Sequence, residues 1–358
     1  MRLSTCNSCG QLVYFENTSC TRCGAVLGFN TDLLQMQSFT PTPEGLLTPI
    51  GAQKLVNYRY CANGINHNVC NWVVEADGPH ELCVACQLNR TIPDLGVANN
   101  LQLWAKIESE KRRLIYSLLV LGLPLTQADP PRLAFNFLAE TGAAGDESHP
   151  VLTGHDDGLI TININEADPA KREKMREDMA EPYRTLLGHF RHESGHYYWD
   201  VLVRDTPWLE PVRELFGDDT QDYSDALAAH YQNGPVPDWQ TQYVSAYASS
   251  HPWEDWAETW AHYLHIIDTL ETAQGFGLTV APKIANNQGL RSNVKINPYN
   301  SEKFDTIIQH WLPLMYALNS LNRSVGHPHA YPFVLAETVI KKLDLVHCIV
   351  HHYLPNDQ

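Results

Sequence analysis

Long apolar runs, basic charge and late cysteines are scarce in this chain, and each scarcity excludes something. The most apolar run, Leu114 to Leu125, is interrupted by Ser117 and Gly122 and falls far short of the roughly 20 residues that a bilayer span needs. It reads as a buried helix, although Lys111-Arg112-Arg113 just before it would also suit an interfacial membrane helix. The stretch Met1-Arg2-Leu3-Ser4-Thr5-Cys6 meets a cysteine at once, without the apolar segment of roughly seven or more residues that a secretory signal requires. The expected setting is therefore cytoplasmic, with no membrane partner. Lys and Arg number 25 against 41 Asp and Glu, a net charge of −16. Phosphate binding rests on neutralisation by Lys and Arg, so nucleic acid is not an expected partner, and the acidity reads as a solvated surface.

Cysteine is almost missing after residue 90, where Cys348 is the last of nine. That break places a boundary soon after the cysteine-rich segment, giving a module over 1–95 and a larger domain over 96–358. Four of the early cysteines form Cys6-Asn7-Ser8-Cys9-Gly10 and Cys20-Thr21-Arg22-Cys23-Gly24. Each Cys-x-x-Cys-Gly has the form of a zinc knuckle: two thiolates grip one ion and the glycine lets the backbone turn tightly beneath it. Two knuckles make one four-sulfur site, and Gln11 to Glu16 between them suits the short returning strand of a zinc ribbon.

A second set, Cys61, Cys70, Cys83 and Cys86, has knuckle spacing only in its last pair. A second structural zinc is the preferred reading over disulfides, because cytosolic thiols stay reduced. His67 is an alternative ligand to Cys61 or Cys70. Closed four-thiolate sites leave no open coordination position, so both ions should be structural. Thr31 to Gly51, rich in Thr and Pro, reads as an extended connection with no element of its own.

Beyond Pro93 the pattern turns to helices and a few strands. Asn99 to Leu121 has apolar residues at helical spacing, while Arg132 to Leu138 and Gly158 to Asn165 alternate as strands do. Asp168-Pro169 is an N-cap with proline at the first helical position, so a charged helix should run through Lys171 to Met179. The expected class is α+β, mostly helical with a small sheet.

The chemistry concentrates in His192-Glu193-Ser194-Gly195-His196. On a helix, His192 and His196 lie one turn apart on one face and can share a metal ion, while Glu193 sits about 100° round, where it can address a water. A zinc ion there needs a third protein ligand, and Glu254-Asp255-Trp256-Ala257-Glu258 offers one. Glu254 and Glu258 share a face, so the first can bind metal while the second hydrogen-bonds a ligand histidine; Asp255 is the competing ligand.

These residues resemble the gluzincin metallopeptidases, in which His-Glu-x-x-His is followed by a glutamate ligand on a second helix. The two motif helices look particularly like the catalytic domain of anthrax lethal factor. The whole order, paired cysteine knuckles and then this segment, is similar to a bacterial family of zinc-binding metallopeptidases with an N-terminal zinc ribbon. The resemblance implies a zincin-like domain, one catalytic zinc besides two structural ones, and peptide hydrolysis with Glu193 as general base. It also implies an assisting tyrosine seven residues before the ligand glutamate, which here is Tyr247; His251 is the alternative hydrogen-bond donor. The interval between the motif and Glu254 is longer than in lethal factor.

A zincin would use Leu159 to Asn165 as an edge strand to pair with a peptide substrate. Trp253, Trp256 and Trp260 read as core, and His189, His262 and His265 as surface or packing residues, although His262 extends the Glu254/Glu258 face and is an alternative support for the metal site. The expected partners are a peptide or protein substrate and a protein recruited by the ribbon. The rival readings are an inactive zinc-dependent adaptor, a ribbon-directed transcription factor and hydrolysis of a non-protein amide.

Overall fold

The computed structural model describes residues 2–51, 56–126, 133–139, 151, 153–178, 185–283 and 288–353. It has an α+β architecture in two compact units, one of Met1–Val120 with Arg132–Met179 and one of Leu121–Pro131 with Ala180–Gln358.

The first unit begins with a two-stranded ribbon, β1 (Ser4–Thr5) against β2 (Leu12–Val13). Five strands then close a barrel: β3 (Val26–Asn30), β4 (Gln35–Pro41), β5 (Leu47–Pro49), β6 (Tyr58–Tyr60) and β7 (Trp72–Glu75). Parallel pairing of Phe29 with Trp72 and Asn30 with Val73 makes the closure. The segment Thr31 to Gly51 is thus not a bare connection, since it supplies β4 and β5. Its prolines misdirect because Pro41 ends β4 and Pro49 ends β5, positions at which a missing amide proton costs little. The interior of β4 buries Met36 and Phe39, and buried Gln37 accepts a 3.0 Å bond from Asn30.

Short helices α1 (Ala62–His67) and α2 (Val84–Gln87) lie within the second cysteine set, with Cys61 and Cys83 at their N-caps and Cys86 inside α2. Helix α3 (Asn100–Val120) buries Trp104, Ile107, Leu114, Ile115 and Leu118, the stripe its sequence spacing calls for. Its Tyr116 joins Phe15, Phe29 and Trp72 in an aromatic cluster with ring centroids 4.7–6.2 Å apart. Strands β8 (Asn89–Thr91), β9 (Ala134–Leu138), β10 (Gly154–Asp156) and β11 (Leu159–Asn163) form a sheet in the order β10-β11-β9-β8.

Strand β11 is interior, parallel to β9 and antiparallel to β10, so the expectation of an edge strand at Leu159 to Asn165 is wrong. Asp157 and Gly158, both at positive φ, make the two-residue turn that folds β10 back onto it. Ile164–Ala167 turns into a 3-10 helix. Helix α4 (Pro169–Asp178) starts at the expected cap, where the Asp168 carboxylate accepts from the Ala170 amide at 2.9 Å. Arg132 and Met179, the outer ends of two expected elements, lie outside the described residues.

The second unit is helical: α5 (Leu186–Leu202), α6 (Leu209–Phe216), α7 (Tyr223–Asn233), α8 (Pro252–Gly275), α9 (Phe304–Ser324) and α10 (Glu337–Tyr353), with a small ribbon of β12 (Thr279–Val280) and β13 (Ser292–Asn293). Helices α5 and α8 meet at Gly195, where an added Cβ would stand 2.8 Å from the Ala257 Cα and 3.2 Å from the Trp260 side chain. Trp256 donates to the Gly195 carbonyl at 2.9 Å and Trp260 to the Ser194 hydroxyl at 3.1 Å. These bonds satisfy two buried indole N–H groups and fix the register of the helix pair. No helix among the described residues is long and apolar enough to cross a membrane.

Candidate metal centres and active site

Three groups of side chains converge with metal-ligating atoms within 4.8 Å of one another: Cys6, Cys9, Cys20 and Cys23; Cys61, Cys70, Cys83 and Cys86; and His192, His196 and Glu254. The first is built by two matching turns. The Cys6 carbonyl accepts from the Gly10 amide at 2.8 Å and the Cys20 carbonyl from the Gly24 amide at 2.9 Å. Both glycines sit at φ +73°, which a residue with a Cβ adopts only at a cost. The Cys6–Cys23 and Cys9–Cys20 sulfurs lie 3.6 Å apart, and Cys70–Cys83 in the second group 3.7 Å.

Those separations are far too long for a disulfide and match the sulfur–sulfur edge of roughly 3.8 Å in a tetrahedron with Zn–S bonds of about 2.3 Å. All nine cysteines are free thiols, which removes the disulfide alternative. Burial raises the Cys6 thiol, but the Ser38 hydroxyl and the Ser8 and Cys9 amides outweigh it and bring it down to about 6. In the second group burial drives Cys83 well above its ordinary value. His67 stands outside this group with its ring against Trp104.

The third group is set by α5 and α8. The His192 Nδ1 lies 2.7 Å from Glu258 Oε1, while its Nε2 lies 3.0 Å from Glu254 Oε2. The His196 Nε2 reaches the same Glu254 oxygen at 3.6 Å. Glu258 is held in turn by the Ser245 hydroxyl at 2.6 Å. Glu254 is 1% exposed, and its Oε2 has no hydrogen-bond donor among the described residues.

A buried carboxylate oxygen facing two imidazole nitrogens demands positive charge between them. Burial lowers the His192 pKa, but Glu254 and Glu258 outweigh it and raise it well above the ordinary value. Burial raises Glu254, and His196 and His192 outweigh that and hold it well below the usual range. A proton could serve one nitrogen only, whereas a metal ion serves both. Tetrahedral ligands at about 2.0–2.2 Å stand roughly 3.3–3.5 Å from one another, which the 3.0 and 3.6 Å separations bracket. The residues fit zinc.

Asp255 faces elsewhere, buried against Lys342, with burial pushing its carboxyl up to about 7. Glu193, between the two histidines, is half-buried. Its charge contributes to raising both Tyr247 and Tyr223, in each of which burial is the larger cause. Tyr247 opens a short 3-10 turn, Tyr247–Ser250, with its ring 6.0 Å from that of His192. His251 is committed to the backbone: its Nδ1 caps α8 by accepting from the Trp253 amide at 3.0 Å, and its Nε2 lies 3.2 Å from the Gln221 carbonyl. With both nitrogens so engaged, it is not placed to donate to a substrate.

Trp256 and Trp260 are core, but Trp253 is half-buried and tilted against His196 at 3.9 Å between ring centroids, so it lines the site. His262 is buried against the Tyr331 hydroxyl. Sequence reasoning missed Ser245 and Tyr223, whose hydroxyl lies 2.6 Å from Glu254 Oε1. No spacing signal marks either residue.

Residues 100–349 match the protein family described as "Putative zinc-binding metallo-peptidase", and residues 3–97 match a zinc-ribbon domain family. The chain belongs to this metallopeptidase family. Its match spans α3 to α10 and so takes in the third group, while the ribbon match takes in both cysteine groups. Relatives titled uncharacterized proteins in Mycobacterium tuberculosis and Mycobacterium bovis are 40% identical to this family member over 360 residues, covering 99% of this chain and 97% of theirs. No solved structure matches it.

Proposed function

We propose that this protein hydrolyses peptide bonds at a gluzincin-type centre of the lethal-factor kind. His192, His196 and Glu254 would hold the catalytic zinc, and the two cysteine groups would hold structural zincs. The observation that carries the reading is the convergence of two imidazole Nε2 atoms on one buried Glu254 oxygen, with Glu258 behind His192. A zinc ion bound there would supply Lewis acidity to a water and to the scissile carbonyl.

The chain's own residues do the rest. Glu258 accepts the Nδ1 proton of His192 and so keeps Nε2 free as a ligand. Glu193, about 100° round the same helix from His192, would accept the proton of the attacking water and return it to the leaving amine. Tyr247, an undissociated phenol whose pKa burial raises further, donates to the oxygen on which negative charge develops. Trp253 shields His196 from one side.

The modules divide the labour at about residue 95. The ribbon module recruits a protein substrate or partner, and the acidity of the chain, at net −16, disfavours nucleic acid as that partner. Nine cysteines, none in a disulfide, suit a reducing compartment such as the cytoplasm.

Cleavage of a peptide library by the purified full chain tests the activity. Chelator-sensitive cleavage should fall by about 10²–10⁴-fold in Glu193→Gln, with the zinc content unchanged. Full activity in Glu193→Gln would refute the assignment. No cleavage by a zinc-loaded wild type would favour the adaptor reading.

A further inference from the structure

Helix α7 has no buried residue, yet its first residue reaches the most buried carboxylate of the site. The Tyr223 hydroxyl donates to Glu254 Oε1 at 2.6 Å, the length of a charge-assisted O–H···O⁻ bond. The opposite oxygen, Oε2, is the one that faces His192 and His196. Core packing of α7 does not account for this contact, so its cause lies in the site. Resting on the metallopeptidase reading, we propose that Tyr223 is a positioning residue that pins the Glu254 carboxylate with one oxygen toward the metal and the other withheld from it.

Two further contacts hold Tyr223 in place. Its ring stands edge-on to His251 at 5.3 Å and to Trp253 at 5.6 Å. The chain two residues earlier is tied to the start of α8, because His251 accepts the Trp253 amide at Nδ1 and donates from Nε2 to the Gln221 carbonyl. This assigns the neutral Nε2–H tautomer, the one that satisfies both bonds. His251 therefore links the helix that carries the ligand to the segment that carries its restraint.

The chemical consequence concerns coordination. A carboxylate with both oxygens available can turn to grip a metal through each, occupying the position a water needs. With Oε1 committed to Tyr223, Glu254 offers one oxygen. His192 and His196 would supply two more donor atoms, leaving room for the water that a catalytic zinc needs. Tyr223 acts in this way through Glu254, whereas Tyr247, which also interacts with Tyr223, would act on the substrate.

The test is zinc affinity of the full chain by chelator competition, for wild type, Tyr223→Phe and Tyr223→Leu, with zinc retained at the cysteine groups. The phenylalanine variant keeps the ring packing against His251 and Trp253 and loses only the hydroxyl. Loss of an orienting partner should weaken the histidine–glutamate site by about 10–100-fold, and by a similar factor in both variants. Cobalt(II) exchanged into that site should also show weaker visible absorption in Tyr223→Phe, as Glu254 turns both oxygens to the metal. Wild-type affinity and spectrum in Tyr223→Phe, with loss confined to Tyr223→Leu, would reduce Tyr223 to packing and overturn the proposal while leaving the peptidase reading intact. A wild type that binds zinc at the cysteine groups alone would overturn both.

Discussion

Two adjacent acids at the start of α8 have opposite fates, and the difference is set by what surrounds each. Glu254 faces His192 and His196, while Asp255 is buried against Lys342. Substitutions should separate metal binding from stability. Glu258→Ala, which frees the His192 Nδ1, should weaken zinc binding at the histidine–glutamate group by about 10–100-fold and leave the fold intact, as chelator competition and circular dichroism would show. Asp255→Ala leaves the Lys342 ammonium buried without its carboxylate and should cost about 3–5 kcal/mol in urea unfolding, with zinc content unchanged in the folded fraction. Loss of zinc on Asp255→Ala at full stability would reverse the assignment. The sequence alone made Glu254 and Asp255 rivals because neighbours on a helix differ by only about 100° in direction, and the position of Lys342, 87 residues away, has no local signature. Tyr223 and Ser245 were illegible for the same reason, being brought to the site by the chain's path between α5 and α8.

At the scale of elements, the close approach of α5 and α8 is what turns two sequence motifs into one site. Gly195 in the motif permits it, and the two indole bonds from Trp256 and Trp260 set its register. An alanine there gains about 1 kcal/mol in helix propensity, yet its Cβ would meet backbone at 2.8 Å. Gly195→Ala should therefore destabilise the second unit by about 1–3 kcal/mol and weaken zinc binding at the histidine–glutamate group as Glu254 shifts from the histidines. Chemical denaturation with zinc analysis would check this, and a stabilised variant with full zinc would contradict it. Long helices and knuckles were legible because periodicity and Cys-x-x-Cys-Gly are local patterns. Strands β4 and β5 were not, because their prolines sit at strand ends while the burial that makes them strands comes from pairing across the barrel. Strand β11 was found but misplaced within its sheet, since neighbours in a sheet are not written in one strand's alternation.

The molecule as a whole combines two closed thiol sites with one histidine–glutamate site, and it buries imidazoles that must stay neutral. Burial lowers His262 to about 4 and, likewise, His347 to about 4, from an ordinary 6.5. Between these values the unfolded chain binds protons that the folded chain does not, so stability is full above about pH 6.5 and falls as pH drops toward 4. The urea midpoint should be lower at about pH 5 than at about pH 7.5. In His262→Gln the drop should be smaller by on the order of 2 kcal/mol; an equal drop would contradict a neutral buried His262.

The central claim is that the His-Glu-x-x-His helix holds a metal of its own. Elemental analysis of zinc in the purified full chain, wild type beside His192→Ala, tests it most directly. Three zinc ions per chain are expected, one for each converging group, falling by one in the variant while both cysteine sites stay filled. An unchanged zinc count in His192→Ala would mean that this helix holds no metal, leaving the cysteine groups as the zinc sites among the described residues.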